Sequence, residues 1–267
     1  MSFIESQGVH IYYERHGSGP AVVFCHGAGS NAATWWQQIP VFARQFTCIT
    51  IDNRCFGRSA AGLEKFEPEL FVEDLLRVMN HENIDRAALI CQSMGGMTGL
   101  RFALRYPQRV SAFVSCDSPL AIDHPEMLAN VERFLAGVEA TELEDRTLSP
   151  QFVRSRPELA FLYAQINRFN PAVYGPSHGL GWGARLSTLS APAYLLSLQK
   201  LQELERPTLF IVGSEDPVVT PAVVRDVASY VRASEVIQID QAGHSPYFEQ
   251  PAIFNSEVLK FLSRHLK

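Results

Sequence analysis

Ser93, Asp216 and His244 offer a hydroxyl, a carboxylate and an imidazole, in a chain order that would suit a serine activated as a nucleophile. Ser93 lies in Cys91-Gln92-Ser93-Met94-Gly95-Gly96, between a short apolar run, Ala87 to Cys91, and a helical pattern from Met94 to Tyr106 that Pro107 ends. A serine on so sharp a strand-to-helix turn is pushed out beyond the sheet edge, and the N–H groups after it face the same space. That suits a nucleophile with a base on one side and an oxyanion site on the other. The usual pattern at such a turn is G-x-S-x-G, and here Cys91 stands at the first glycine.

A serine hydroxyl needs a base to take its proton and a carboxylate to orient that base. The histidines that follow are His124, His178, His244 and His265. His244 stands out, because Asp240-Gln241-Ala242-Gly243-His244-Ser245-Pro246 places it in a short loop after the last strand and before the last helix. Alone it would read as a surface or helix-capping histidine; with Ser93 it reads as the base. The carboxylate is Asp216, in the turn Gly213-Ser214-Glu215-Asp216-Pro217, which Pro217 helps to fix. Asp117, just after the run Val110 to Cys116, is a rival on the same edge, but the Asp216 turn lies one element before the His244 loop. Glu215 reads as solvated. For the developing oxyanion, one donor is the N–H of Met94, the residue after the nucleophile, and the second is Ala28 in the loop His26-Gly27-Ala28-Gly29. His26 reads as a brace for that loop, since His244 already fills the base position.

These residues need a scaffold that brings loops to one edge. Phe3 to Ser6 and Val9 to Arg15 read as a hairpin turning at Gln7-Gly8. Ala21 to Cys25, Phe46 to Ile51, Ala87 to Cys91, Val110 to Cys116, Thr208 to Val212 and Glu235 to Ile239 read as strands, mostly buried on both faces. Helical spacing spans Asn31 to Arg44, Pro68 to His81, Met94 to Tyr106, Pro221 to Val231 and Pro251 to Leu266. Strand alternating with helix predicts an α/β fold, a mostly parallel sheet with helices on both faces and ligands beyond the carboxyl ends of its strands. The alternation stops from Ser118 to about Arg206, where helical stretches at Pro125 to Ala140, Pro157 to Arg168 and Ala191 to Leu204 surround a glycine-rich piece, Gly175 to Gly183. The expected organisation is a core of 1–117 and 207–267 with a helical cap, 118–206, inserted after the sixth strand. Within the cap, Phe134, Leu135, Phe161, Leu162, Phe169 and Trp182 are candidates to line an apolar pocket, against the plainer reading that most of them hold the cap to the core.

Composition narrows the partners. A hydrophobic fraction of 46%, a charged fraction of 19% and a net charge of −5 over 267 residues fit an ordinary globular protein with no basic stripe for nucleic acid or an anionic membrane. The N-terminal residues show no signal-peptide pattern, and no apolar run approaches the ~20 residues of a membrane span. The five cysteines, Cys25, Cys48, Cys55, Cys91 and Cys116, contain no CxxC pair, so a disulfide framework and a cysteine metal site are not expected, and the cytoplasm is.

Taken together, His26-Gly27-Ala28-Gly29, Asp52-Asn53-Arg54-Cys55-Phe56-Gly57-Arg58-Ser59, Cys91-Gln92-Ser93-Met94-Gly95-Gly96, Gly213-Ser214-Glu215-Asp216 and Gly243-His244 resemble the motif set of the α/β-hydrolase superfamily over nearly the whole chain. The stretch from Ser93 to Gly99, followed by Arg105 to Val110, is most similar to that of its esterases and enol-lactonases. The resemblance implies an eight-stranded sheet and a Ser93–His244–Asp216 triad working without metal or organic cofactor. The expected reaction is hydrolysis of a small to medium apolar carboxylic ester or lactone through an acyl-enzyme on Ser93. Other uses of the fold stay open: a cofactor-free dioxygenase or perhydrolase, a carbon–carbon bond hydrolase, and a ligand-binding receptor. Carbon–carbon bond hydrolases of the superfamily commonly have Asn before the serine, where this chain has Gln92. Cys91 and Cys55 replace two usual glycines, and Cys91 is expected to be a packing residue behind the turn.

Overall fold

Alternation along the central strands splits the core into two apolar layers, one on each face of a single sheet. In the computed structural model, which describes residues 2–137, 142–169, 187 and 189–266, that sheet has eight strands. They are β1 (Ser2–Ser6), β2 (Val9–His16), β3 (Ala21–Cys25), β4 (Thr47–Ile51), β5 (Ala87–Gln92), β6 (Val110–Cys116), β7 (Thr208–Gly213) and β8 (Ser234–Ile239). Their spatial order is β1-β2-β4-β3-β5-β6-β7-β8. Only β2 runs against its neighbours; every other pairing is parallel. The β1–β2 hairpin turns through Gln7 (φ 51°) and Gly8 (φ 80°), the two left-handed residues that a two-residue turn matched to strand twist requires.

On one face Val23, Leu89 and Cys91 pack with Val72 and Leu75 of α2 (Pro68–His81) and Leu100 of α3 (Met94–Arg105). On the other, Phe24, Ala88 and Ile90 pack with Trp35, Phe42 and residues of the C-terminal helix, such as Phe254 and Val258. Residues two apart along a strand share a face, so continuous apolar runs fill both layers. The loops after β3, β5, β7 and β8 therefore emerge on the same edge, the first three above strands that are almost wholly buried and the last above the half-exposed edge strand β8.

Several boundaries differ from the periodic reading. The stretch Asn31 to Arg44 is not one helix but a 3₁₀ turn, Ala32–Trp35, capped by Asn31, and a single α-turn, α1 (Ile39–Phe42). Pro40 explains the break, because it lacks the N–H and its ring opposes a carbonyl four residues back, whereas it fits the first turn of a new helix. Between β6 and β7 lie α4 (Pro125–Ala136), α5 (Leu143–Thr147), α6 (Pro150–Ser155) and α7 (Pro157–Arg168). α4 ends before the expected Ala140, and residues 138–141 lie outside the described residues. Two short helices, α5 and α6, carry no long apolar period and are absent from the sequence reading. Ala191 to Leu204 forms two 3₁₀ turns, Pro192–Tyr194 and Leu198–Glu203, instead of a helix. Its backbone bonds outward: Leu196 N–H donates to Ala121 and Asp123 N–H to Leu196, around a bridge between Ile122 and Leu196. After β7 come α8 (Pro221–Ser229), α9 (Pro246–Glu249) and α10 (Pro251–His265). No helix among the described residues is long and apolar enough to cross a membrane.

Candidate active site

Ser93 sits between β5 and α3 with φ 49° and ψ −118°, outside the regions that L-residues prefer. Such a conformation costs on the order of 1–3 kcal/mol and persists only where the surroundings enforce it. Here its N–H donates to the Cys116 carbonyl at 2.9 Å, and its own carbonyl accepts the Ser118 hydroxyl at 2.6 Å. Gly95 is required next, since a Cβ there would run into the carbonyl oxygens of Cys25 and His26. Cys91, the departure from the usual glycine, is fully buried behind the turn. Its thiol fills the space over Gly99, where a Cβ would stand 2.6 Å from Sγ. Cys55, the other departure, adopts φ 71°, so a side chain occupies a left-handed position that glycine takes without cost.

The loops after β7 and β8 bring Asp216 and His244 to this turn. His244 Nε2 lies 3.0 Å from Ser93 Oγ, and His244 Nδ1 lies 2.9 Å from Asp216 Oδ2. Asp216 Oδ1 accepts the N–H groups of Val218 (2.7 Å) and Val219 (3.0 Å), which leaves Oδ2 for the imidazole. A carboxylate at Nδ1 sets the tautomer: Nδ1 carries the proton and Nε2 presents a lone pair to the serine hydroxyl. Glu215, the neighbouring acid, is exposed, as its place in the turn suggests.

The His244 loop is gripped from the segment between β6 and β7. His244 N–H donates to the Thr147 carbonyl at 2.6 Å, and the His244 carbonyl accepts Gln92 Nε2 at 3.0 Å. Glu249, buried in α9, accepts Gly243 N–H (2.8 Å) on one oxygen and Ser149 N–H (2.7 Å) on the other. Burial raises the Glu249 carboxyl above its ordinary range, opposed by these N–H bonds. None of Thr147, Ser149 or Glu249 stood out in the sequence. Thr147 acts through its carbonyl, Ser149 through its N–H and through a hydroxyl that donates to the Gln241 carbonyl at 3.2 Å, and Glu249 differs from a surface acid only by burial.

His26 is a brace. Its Nδ1 bonds the Gly27 carbonyl at 2.6 Å and its Nε2 accepts Asn53 N–H at 2.9 Å, while burial lowers its basicity. Asp117 does not reach His244 as a partner; its Oδ1 accepts Gly213 N–H at 2.9 Å. Asp117, Asp216 and His244 form a close group of possible metal ligands, but two of its oxygens already accept backbone N–H bonds and its imidazole faces Ser93 and Asp216. Of the other histidines, His124 caps α4 and bonds Asp226 at 3.1 Å, and His178 lies outside the described residues.

Ser93 and His244 open on a cavity of about 80 Å³ that Ala28 and Met94 also border. Its far wall is one face of α4: Met127, Leu128, Val131, Phe134 and Leu135, at helical spacing. Ile122, Leu189 and Val218 complete much of the rest. Phe134 and Leu135 thus line the cavity as the sequence suggests, and the Phe134 ring lies 6.1 Å from the His244 imidazole. Phe161 (60% exposed), Leu162 (37%) and Phe169 (59%) fit neither sequence reading: they face solvent. Trp182 lies outside the described residues. The α4 stripe was present in the sequence as a period; what it faces was not.

A family model described as the α/β hydrolase fold matches residues 20–251. The chain belongs to that family. It is 25% identical to 3-oxoadipate enol-lactonase 2 of Acinetobacter baylyi, over 98% of this chain and 96% of the relative. It is 26% identical to a putative non-heme bromoperoxidase, BpoC, of Mycobacterium tuberculosis, over 96% and 98%. Among solved structures, Est816, described as an N-acyl homoserine lactone degrading enzyme, superposes with a TM-score of 0.81 at 27% identity, covering 97% of this chain and 100% of that one. Family membership makes the protein a hydrolase in the broad sense, with a small molecule as its substrate. The spread of activities among relatives of similar identity leaves the bond cleaved to be argued from the site.

Proposed function

We propose that the protein is a serine hydrolase that cleaves small to medium, apolar carboxylic esters or lactones through an acyl-enzyme on Ser93. The observation that carries this reading is the continuous chain Ser93 Oγ–His244 Nε2 (3.0 Å) and His244 Nδ1–Asp216 Oδ2 (2.9 Å), opening on an apolar cavity. His244 Nε2 takes the hydroxyl proton as Oγ attacks the carbonyl carbon, and Asp216 stabilises the imidazolium. The Met94 and Ala28 N–H groups hold the oxyanion. His244 then protonates the leaving alkoxide and next activates the water that cleaves the acyl-enzyme. Among the described lining residues only His244 is ionisable, which favours an uncharged acyl group. In this reading the segment 118–206 acts as a helical cap that closes the cavity with α4. Five free, buried cysteines fit action in the cytoplasm.

Ester turnover and fluorophosphonate labelling test the assignment. Both are expected to vanish in Ser93→Ala, and unchanged turnover of p-nitrophenyl esters in that variant would remove Ser93 from its role. The likeness to a bromoperoxidase supports a second reading, in which hydrogen peroxide replaces water as acyl acceptor and a peracid leaves the same site. Peracid formation from acetate and peroxide, lost with Ser93→Ala, would identify it.

A further inference from the structure

Asp117 is a buried acid beside this site with no task in the chemistry above. It follows β6 with φ 45°, a left-handed conformation that Asp and Asn tolerate better than most side chains. Its Oδ1 accepts Gly213 N–H at 2.9 Å, and its Oδ2 receives the Cys116 thiol at 3.0 Å. Gly213 begins the turn that carries Asp216, so the two acids hang from adjoining strands. Polar atoms of Asp117, Asp216 and His244 all lie within 4.8 Å of one another.

We propose that Asp117 is a positioning residue of this site, a second acid that backs the Asp216 carboxylate and can orient His244 in its place. The inference rests on the hydrolase reading above. Two carboxyl groups this close in a buried site do not both ionise cheaply. Asp216 faces more donors, two backbone N–H groups on Oδ1 and the imidazole on Oδ2. Asp117 has one backbone N–H and a thiol, and burial, followed by the charge of Asp216, pushes its carboxyl well above the usual range. Its proton is therefore available to Asp216. With the Asp216 side chain removed, the charge that opposes ionisation of Asp117 is gone. The Asp117 carboxylate then stands within 4.8 Å of the imidazole, over a space the deletion has opened.

Four proteins test this: the wild type, Asp117→Asn, Asp216→Ala and the double variant. The readings are p-nitrophenyl butyrate hydrolysis, the downfield proton resonance of a carboxylate-bonded His244 Nδ1–H, and thermal unfolding. Asp117→Asn is expected to stay within about threefold of wild-type kcat, because the amide still accepts from Gly213 and donates to Asp216. Asp216→Ala is expected to keep at least roughly tenfold more activity than the double variant. It should also retain a downfield His244 proton that the double variant lacks. Equal rates in Asp216→Ala and the double variant would overturn the proposal, as would a loss of about a hundredfold in Asp117→Asn alone. Should Asp216→Ala not fold, Asp216→Asn with and without Asp117→Asn gives the same comparison. The Ser93→Ala control separates the two claims: if wild-type ester turnover does not depend on Ser93, the hydrolase reading fails while the His244 resonance still decides the role of Asp117.

Discussion

The carboxyl edge of the sheet and the helical segment between β6 and β7 meet at one cavity but are built by different rules. On the edge, each polar side chain stands on a loop that follows a strand, and its position is fixed by backbone bonds: Asp216 by Val218 and Val219, Ser93 by Cys116 and His244 by Thr147. Across the cavity, α4 offers a stripe of interchangeable apolar side chains and no polar group. In the proposed reading the first region would carry the reaction and the second would select what fits. They are tied where Thr147 and Ser149 grip the His244 loop, so the segment that shapes the pocket also holds His244.

Variants on the edge should therefore act on kcat, and variants on α4 on substrate choice. The largest effect is expected from Ser93→Ala, a loss of at least about 10³-fold in ester turnover, with stopped assays at high enzyme concentration setting the floor. Glu249→Gln probes the tie between the regions. An amide presents one acceptor to two N–H groups, so kcat should fall by roughly tenfold with KM little changed. A loss carried by KM instead would show that Glu249 shapes the cavity and not the base. Phe134→Ala should enlarge the pocket and raise the kcat/KM ratio of hexanoate to acetate esters by several-fold, with acetate turnover nearly constant. A uniform fall across chain lengths would mean that Phe134 supports His244, which its ring faces.

Two smaller effects address how the edge is packed. Gly99→Ala should destabilise by about 1–3 kcal/mol in urea unfolding, because its methyl meets Cys91 Sγ and the Phe113 ring. Adding Cys91→Gly should restore most of that loss. No recovery would mean that Phe113, and not the thiol, limits the space. The smallest expected effect is in pH dependence. Asp117 has a raised carboxyl pKa in the folded state, so folding takes up a proton and stability falls as pH rises from the unfolded Asp range through the folded value. Asp117→Asn should flatten that fall at pH values above the ordinary Asp range, measured by urea unfolding.

Much of the edge was legible because its signals are local. Gly95 has to be glycine, Pro217 fixes the turn that carries Asp216, and a buried strand is a continuous apolar run whatever its partners. The order Ser93, Asp216, His244 added the long-range relation that no single motif supplies. The errors were local too. Period alone carried a helix through Pro40, and it placed one over Ala191 to Leu204, where the backbone forms two 3₁₀ turns and Leu196 between them bonds Ala121 and Asp123.

Residue type, spacing and steric need suffice for the alternating α/β scaffold, the chain order of the three polar residues and the apolar stripe of α4. Tertiary structure alone decided that α4 faces Ser93, that Thr147 and Ser149 hold the His244 loop, and that Asp117 stands beside Asp216. The physical reason is the same in each case. Main-chain donors and acceptors are present at nearly every residue, so nothing in the sequence marks which will meet. Likewise, the charge state of a buried acid is set by neighbours that only the fold brings near.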